Sequence, residues 1–485
     1  MRMWEQISVS FKSKERARFM SRSLITALVL LLVPSWAAAV MPESVEQVLN
    51  RHQLGSGQVS VLVQRVGDGE TILELAPDRL RNPASVTKLP VTFAALEILG
   101  PTHTWRTEIY AENEPRDGVL DGNLWLRGTG DPYLVTEQFW KLVGGIRRAG
   151  VEHITGDLVL DVSHFALEPE DPGAFDDRPD RAYNQAPHAL LVNFNAVRFQ
   201  IDSDGNGQAR VSTDPPLPEL RINNRLQRSS GGCGAHRGMS YRVSGDLEVS
   251  LEGEHPGGCR GFNLLRVAMS PEDFAHQLFS GLWRQWGGEF RGGWRRDIWT
   301  GSQRPLYTHR SPPLSELIRP ANKFSNNVMT RHFKLAVAAE VHGEPATTKG
   351  GNQAIIDFYA ERGVNTDGMI MDNAAGLSRT NRFTARQVAQ ILQLAQRSPF
   401  SAEFRSSLAL SGLDGTMRRR FSDGPERGRM HLKTGTLNHV SAVAGYVRSR
   451  SDQDYVVVVL INGENVHWGP GRAVQDSVLA WVYQQ

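Results

Sequence analysis

Cysteine, metal-ligand spacing, long apolar runs and charge of one sign are what this chain has least of. Cys233 and Cys259 are the two cysteines in 485 residues, too few for a disulfide-dense scaffold and, with no paired histidines beside them, a poor zinc site. The 14 histidines follow no metal-binding spacing, so no cofactor is expected. The formal charge is +2, and the excess lies in the first 39 residues, whose six Lys/Arg and two Asp/Glu leave about −2 once removed. That balance argues against a nucleic-acid partner. Past residue 39 no apolar run approaches the roughly 20 residues of a membrane helix, which leaves at most peripheral membrane contact. No internal repeat occurs, which argues against a solenoid.

The N-terminus does carry a pattern. Arg16, Arg18 and Arg22 precede an apolar run from Leu24 to Val33, and Ala37-Ala-Ala39 offers a small-residue cleavage site. Residues 1–39 therefore read as a signal peptide, with an uncleaved anchor as the minority alternative, and the chain as exported to the periplasm. In that oxidising compartment Cys233 and Cys259, in a Gly-rich stretch, read as a structural disulfide rather than a reactive site.

Three short strings follow in fixed order: Ser85-Val-Thr-Lys88, Ser325-Asn-Asn327 and Lys433-Thr-Gly435. Singly, each has an ordinary structural explanation: a solvated turn, a cap, a strand end with an exposed lysine. Together they describe a serine acyl enzyme. A serine hydroxyl needs a base, and a lysine serves only if burial or a second cation drives it toward neutrality. Asn82 and Pro83 read as the N-cap and first residue of a helix from Pro83 to Leu99, which sets Ser85 and Lys88 one turn apart on one face. Free N–H groups at that helix start offer half an oxyanion hole.

Ser325 and Asn327 lie two apart in a short polar segment, one suited to relay a proton to a leaving amine and the other to hold a peptide backbone. Lys433, Thr434 and Gly435 fall in a strand from His431 to Thr436, followed by strand-like runs Val440–Arg448 and Tyr455–Ile461. Gly435 is expected to let a ligand approach the strand backbone, with the N–H of Thr436 completing the oxyanion hole.

With Leu124-Trp-Leu-Arg-Gly-Thr-Gly-Asp-Pro132, Gly156-Asp-Leu-Val-Leu-Asp161, Gly376-Leu-Ser-Arg379 and Ala444-Gly-Tyr-Val447, these strings resemble the low-molecular-mass class C penicillin-binding proteins, the D-alanyl-D-alanine carboxypeptidases and endopeptidases of peptidoglycan. The resemblance covers essentially everything after the leader. It implies Ser85 as the acylated residue, Lys88 as its base, Ser325 as proton relay, Asn327 as substrate holder, and Lys433 with Thr434 as anchor for a terminal carboxylate. It also places Arg379 and Asn438 along the cleft, although alone they read as a surface arginine and a turn residue. The implied partners are the D-Ala-D-Ala ends and crosslinks of stem peptides, with β-lactams as inhibitors. Two departures stand out. Asp372-Asn-Ala-Ala375 replaces a segment where the family commonly has Gly and Ser, and Pro90 is expected to remove a hydrogen bond and kink the catalytic helix.

Two other functions share parts of the pattern. A class A β-lactamase needs a deacylating glutamate; Glu219 precedes Ser325, the wrong order, and Glu361 falls where Gly363 ends a helix. A non-catalytic cell-wall binding protein would need neither Lys88 nor Ser325.

Spacing gives the architecture. Ser85 and Ser325 are 240 residues apart, more than a typical domain of about 100–150 residues, so something domain-sized lies between them. The expectation is an α+β fold of the penicillin-binding, serine β-lactamase-like type: an antiparallel sheet flanked by helices over 40–95 and 305–485, an inserted α/β domain over 96–168 and 270–304, and a nested small β domain over 169–269. Helices are expected at Pro42–His52, Glu137–Ala149, Pro271–Trp286, Leu314–Leu335, Asn352–Arg362 and Arg472–Tyr483.

Overall fold

The computed structural model describes residues 41–203, 209–234 and 237–485; the expected signal peptide lies outside them. Its largest sheet is six-stranded and antiparallel, in the order Ala409–Leu410, Met430–Leu437, Val440–Arg448, Asp454–Asn462, Val59–Arg65, Thr71–Leu75. First and last thirds of the chain are thereby zipped together, with Val59 opposite Ile461 and Arg65 opposite Tyr455.

The run Tyr455–Ile461 is apolar at every position because both faces of this sheet are covered. Val456, Val458 and Leu460 pack with the helices Lys88–Leu99, Leu314–Lys323, Asn327–His342 and Ala385–Arg397. Their neighbours Val457, Val459 and Ile461 pack on the other side with Glu43–Arg51 and Pro470–Tyr483. Alternation along one strand thus feeds two separate cores.

Between Ser85 and Ser325 stands a five-stranded sheet in the order Trp294–Arg296, Leu158–Asp161, Leu124–Gly128, Arg106–Ala111, Tyr307–Arg310. Helices Thr136–Arg148 and Pro271–Gln285 share its core. Three three-stranded sheets, holding Val197–Ser203, Glu248–Pro256 and His153–Ile154, complete the middle of the chain. Cys233 and Cys259 are joined by a disulfide within this stretch. Phe199, Ile201, Val249 and Leu251 belong to the same cluster as Phe139, Leu158 and Phe279, so this β-rich piece shares a core with the α/β piece around it. Strand Tyr307–Arg310 pairs with Arg106–Ala111, so the chain leaves the inserted sheet beyond residue 305.

Three local expectations need correction. Residues 314–335 form two helices, Leu314–Lys323 and Asn327–His342, rather than one. The Pro83–Leu99 helix is a 3-10 turn, Ala84–Thr87, followed by an α-helix from Lys88. Pro90 is therefore third in the α-helix, within the first turn where an N–H has no intrahelical acceptor, and the expected loss of a hydrogen bond does not arise. Its carbonyl accepts from Tyr359 Oη at 2.6 Å. Among the described residues no helix is long and apolar enough to cross a membrane.

Candidate active site

Ser85 sits in the 3-10 turn at the entrance to a helix whose first nine residues are all buried. The turn is held by Asn82: its side chain accepts from Ala84 N at 2.9 Å and donates to Ser378 O at 2.7 Å. Asn462 fixes Asn82 in turn, exchanging two hydrogen bonds with its backbone at 2.7 and 2.9 Å. The N-cap of this turn is Pro83, without a side-chain capping bond, rather than the expected Asn82; Asn82 instead braces the turn from one residue further out.

Lys88 is wholly buried. Its Nζ donates to Ser85 Oγ at 3.1 Å, to Asn327 Oδ1 at 2.8 Å and to the carbonyl of Ala375. Among the described residues no carboxylate compensates it there: burial, and then the charge of Lys433, hold its pKa well below the usual lysine value. Lys433 is also wholly buried, and burial lowers its pKa to about 7. It donates to Ser325 Oγ at 3.0 Å and to Thr434 O at 2.8 Å.

The Ser325-Asn326-Asn327 string occupies the break between two helices, and each residue has a separate task. The N–H of Asn326 reaches back to Ala321 O at 3.1 Å, closing a Schellman motif with Ser325 in its left-handed position at φ 59°. That position ordinarily takes glycine. Asn326 caps the second helix, accepting from Met329 N at 3.1 Å. Asn327 opens that helix and spans the site, accepting from Lys88 and donating to Tyr183 O at 3.1 Å.

Two glycines permit close approach. Gly376 has φ 81°, and a Cβ there would collide with the Ala84 carbonyl. A Cβ on Gly435 would lie 2.8 Å from both Ser85 N and Pro83 O. The absence of a side chain at Gly435 therefore first serves to bring the Lys433 strand against the Ser85 turn, whereas the sequence suggested room for a ligand. Thr436, the next residue along that strand, is exposed.

The departure at Asp372–Ala375 is absorbed by backbone. Ala374 takes the positive φ, 64°, and Ala375 meets Lys88 and Ser85 through its carbonyl, 3.5 Å from Ser85 Oγ. Arg379 is exposed at the rim; its guanidinium lies 4.5 Å from the Phe175 ring centroid and donates to Asn438 O at 3.3 Å. Asn438 sits in the two-residue connection between Met430–Leu437 and Val440–Arg448, and contributes that carbonyl. A cavity of about 400 Å³ opens from Asn327 and Ala375 toward Phe175 and Arg379.

Ser85, Lys88, Ser325, Asn327, Lys433 and Thr434 are thus brought together, with Arg379 and Asn438 at the edge. Tyr183 and Ala375 take part through backbone carbonyls, which carry no sequence signal. Thr416, whose hydroxyl meets that of Thr434 at 2.8 Å, was also missed. Glu361 pairs with Arg362 at the surface and Glu219 accepts from Gln277; neither lines the cavity. Among the described residues no group of three or more His, Cys, Asp or Glu side chains is placed to hold a metal ion.

The chain is 28% identical over 454 residues to a D-alanyl-D-alanine carboxypeptidase of Actinomadura, covering 90% of this chain and 83% of that protein. It is 23% identical over 408 residues to the D-alanyl-D-alanine carboxypeptidase DacB of Haemophilus influenzae, covering 84% and 85%. Its fold matches the crystal structure of penicillin-binding protein 4 from Haemophilus influenzae with a TM-score of 0.77 at 22% identity, over 92% of this chain and 100% of that one. The expected penicillin-binding fold is therefore observed. The pattern of the D-Ala-D-Ala carboxypeptidase 3 (S13) family spans residues 41–485, and the chain belongs to that family.

Proposed function

We propose that the protein is an exported serine DD-peptidase of peptidoglycan metabolism that cleaves D-alanyl-D-alanine ends, and D-alanyl crosslinks, through an ester on Ser85. The observation that carries this reading is the placement of Lys88 Nζ, wholly buried, with no compensating carboxylate among the described residues and 3.1 Å from Ser85 Oγ. A lysine held toward neutrality is a competent general base.

In the proposed sequence, neutral Lys88 takes the Ser85 proton and Ser85 Oγ attacks the D-alanyl carbonyl. The N–H groups of Ser85 and Thr436 stabilise the oxyanion. Collapse breaks the C–N bond, and the departing amine takes a proton through Ser325, which Lys433 positions. Water then hydrolyses the ester. Lys433 and Thr434 anchor the carboxylate of the leaving residue, and the acyl arm runs past Asn327 toward Arg379. A β-lactam presenting the same carbonyl and carboxylate acylates Ser85 and stays. Location outside the cytoplasmic membrane, in the periplasm, is supported by the leader and by the disulfide.

The test is release of D-alanine from a pentapeptide stem and cleavage of a crosslinked dimer by the full mature chain, with Ser85→Ala as control. Turnover by the unsubstituted protein and none by the variant is expected. Peptide cleavage that survives Ser85→Ala would contradict the assignment.

A further inference from the structure

Phe324, the residue before Ser325, stands 71% exposed at the edge of a second hollow of about 630 Å³. Arg418, Arg419, Arg420 and Arg472 line it, against the lone carboxylate of Asp414. Asp414 is already engaged by Lys323 at 2.5 Å, and Arg420 and Arg472 share Asp476. Arg418 and Arg419 are exposed, and their side chains have no hydrogen-bond or ion-pair partner among the described residues. The hollow therefore presents uncompensated positive charge to whatever enters it.

Its connection to the active site is direct. Thr416, also in the lining, meets the Thr434 hydroxyl at 2.8 Å. Thr434 O in turn accepts from Lys433 Nζ at 2.8 Å, and the same Nζ reaches Ser325 Oγ at 3.0 Å. Ser325, Lys433 and Thr434 flank the leaving half of the substrate in the reading above, while the acyl half lies toward Asn327 and Arg379. A leaving segment that continues beyond the anchored carboxylate passes Thr434 and Thr416 and meets the arginines.

We propose that this hollow is a subsite for an anionic leaving segment, one carrying at least one carboxylate beyond that held by Lys433 and Thr434. The free arm of a crosslinked stem peptide has that character; a departing D-alanine, with its single carboxylate, does not. The site would thus favour crosslink cleavage over trimming of ends. This inference rests on the acyl-enzyme reading of Ser85.

The experiment uses three synthetic substrates with one acyl peptide and different leaving groups: D-alanine, a diamino diacid with its distal carboxylate free, and the same diacid with that carboxylate amidated. The ratio of kcat/KM for free acid over amide is measured for the mature enzyme, for Arg418→Ala/Arg419→Ala and for Arg418→Glu/Arg419→Glu. Benzylpenicillin acylation of Ser85 reports folding in each. The expected ratio is about fivefold to tenfold, from two solvent-exposed pairs, falling with salt. The alanine pair should erase it and the glutamate pair invert it. A ratio near one in the unsubstituted enzyme, or one that survives the alanine pair, overturns the subsite. Failure of the unsubstituted enzyme to form a Ser85 adduct overturns the acyl-enzyme reading and this assignment together, a result distinct from acylation without leaving-group preference.

Discussion

Lys88 Nζ donates to Asn327 Oδ1 at 2.8 Å across 239 residues of sequence. The same nitrogen lies 3.1 Å from Ser85 Oγ, so one buried atom joins the proposed nucleophile to the residue that also holds the Tyr183 carbonyl. The proposed nucleophile, base and substrate-holding amide are positioned as one unit, and a change at any of them is felt at the others.

Asn327→Asp tests that unit by charge. The new carboxylate would sit beside Lys88, favour its protonated form and raise its pKa, against the lowering that burial and Lys433 impose. The acidic limb of the acylation rate should move to higher pH, with a loss of about tenfold or more at neutral pH. A limb that stays in place would show that Lys88 is not the base.

Lys433→Met tests the second cation. Lys433, its pKa lowered to about 7 by burial, is charged on the acid side of neutrality and there helps keep Lys88 unprotonated. Because the two lysines titrate as a coupled pair, removing Lys433 should displace the acidic limb of benzylpenicillin acylation toward higher pH as well as lowering the rate. Stopped-flow acylation across pH decides it, and an acid-ward shift would contradict the account.

Ser325 pays for its position in backbone strain. It stands at φ 59°, where glycine is free and other residues are disfavoured by roughly 1 kcal/mol. Ser325→Ala and Ser325→Gly both remove the hydroxyl next to Lys433, so both should lose peptide turnover by about 100-fold or more. Urea unfolding should nevertheless find the glycine variant more stable than the alanine variant by about 0.5–1 kcal/mol. Equal stabilities would refute the strained position.

Gly376→Ala should disturb both folding and chemistry. At φ 81° the added Cβ runs into the Ala84 carbonyl, with Ser85 N 2.7 Å away, so the turn bearing Ser85 must shift. A loss of about 1–3 kcal/mol on unfolding, with slowed acylation, is expected. A variant with unchanged acylation kinetics would contradict the close approach.

Much of the fold was legible in the sequence because its periodicities are strong. Val440–Arg448 coincides with an observed strand, and Thr136–Arg148 and Pro271–Gln285 lie within two residues of the expected helices. The break at Phe324–Asn326 was not, because apolar spacing continues through it and the left-handed turn uses serine rather than glycine. The 3-10 turn at Ser85 was hidden likewise, since Asn82 and Pro83 suit the start of either helix type. Ala375 and Tyr183 act through carbonyls that every residue possesses. The arginines at 418–420 are plain in the sequence, yet they gain a meaning only when Thr416 is seen against Thr434.

Intact-mass spectrometry of the mature protein with benzylpenicillin, followed by peptide mapping, decides whether Ser85 carries the acyl group. A lasting one-to-one adduct is expected on the peptide containing Ser85, absent from Ser85→Ala. A label on any other peptide, or none at all, would contradict it.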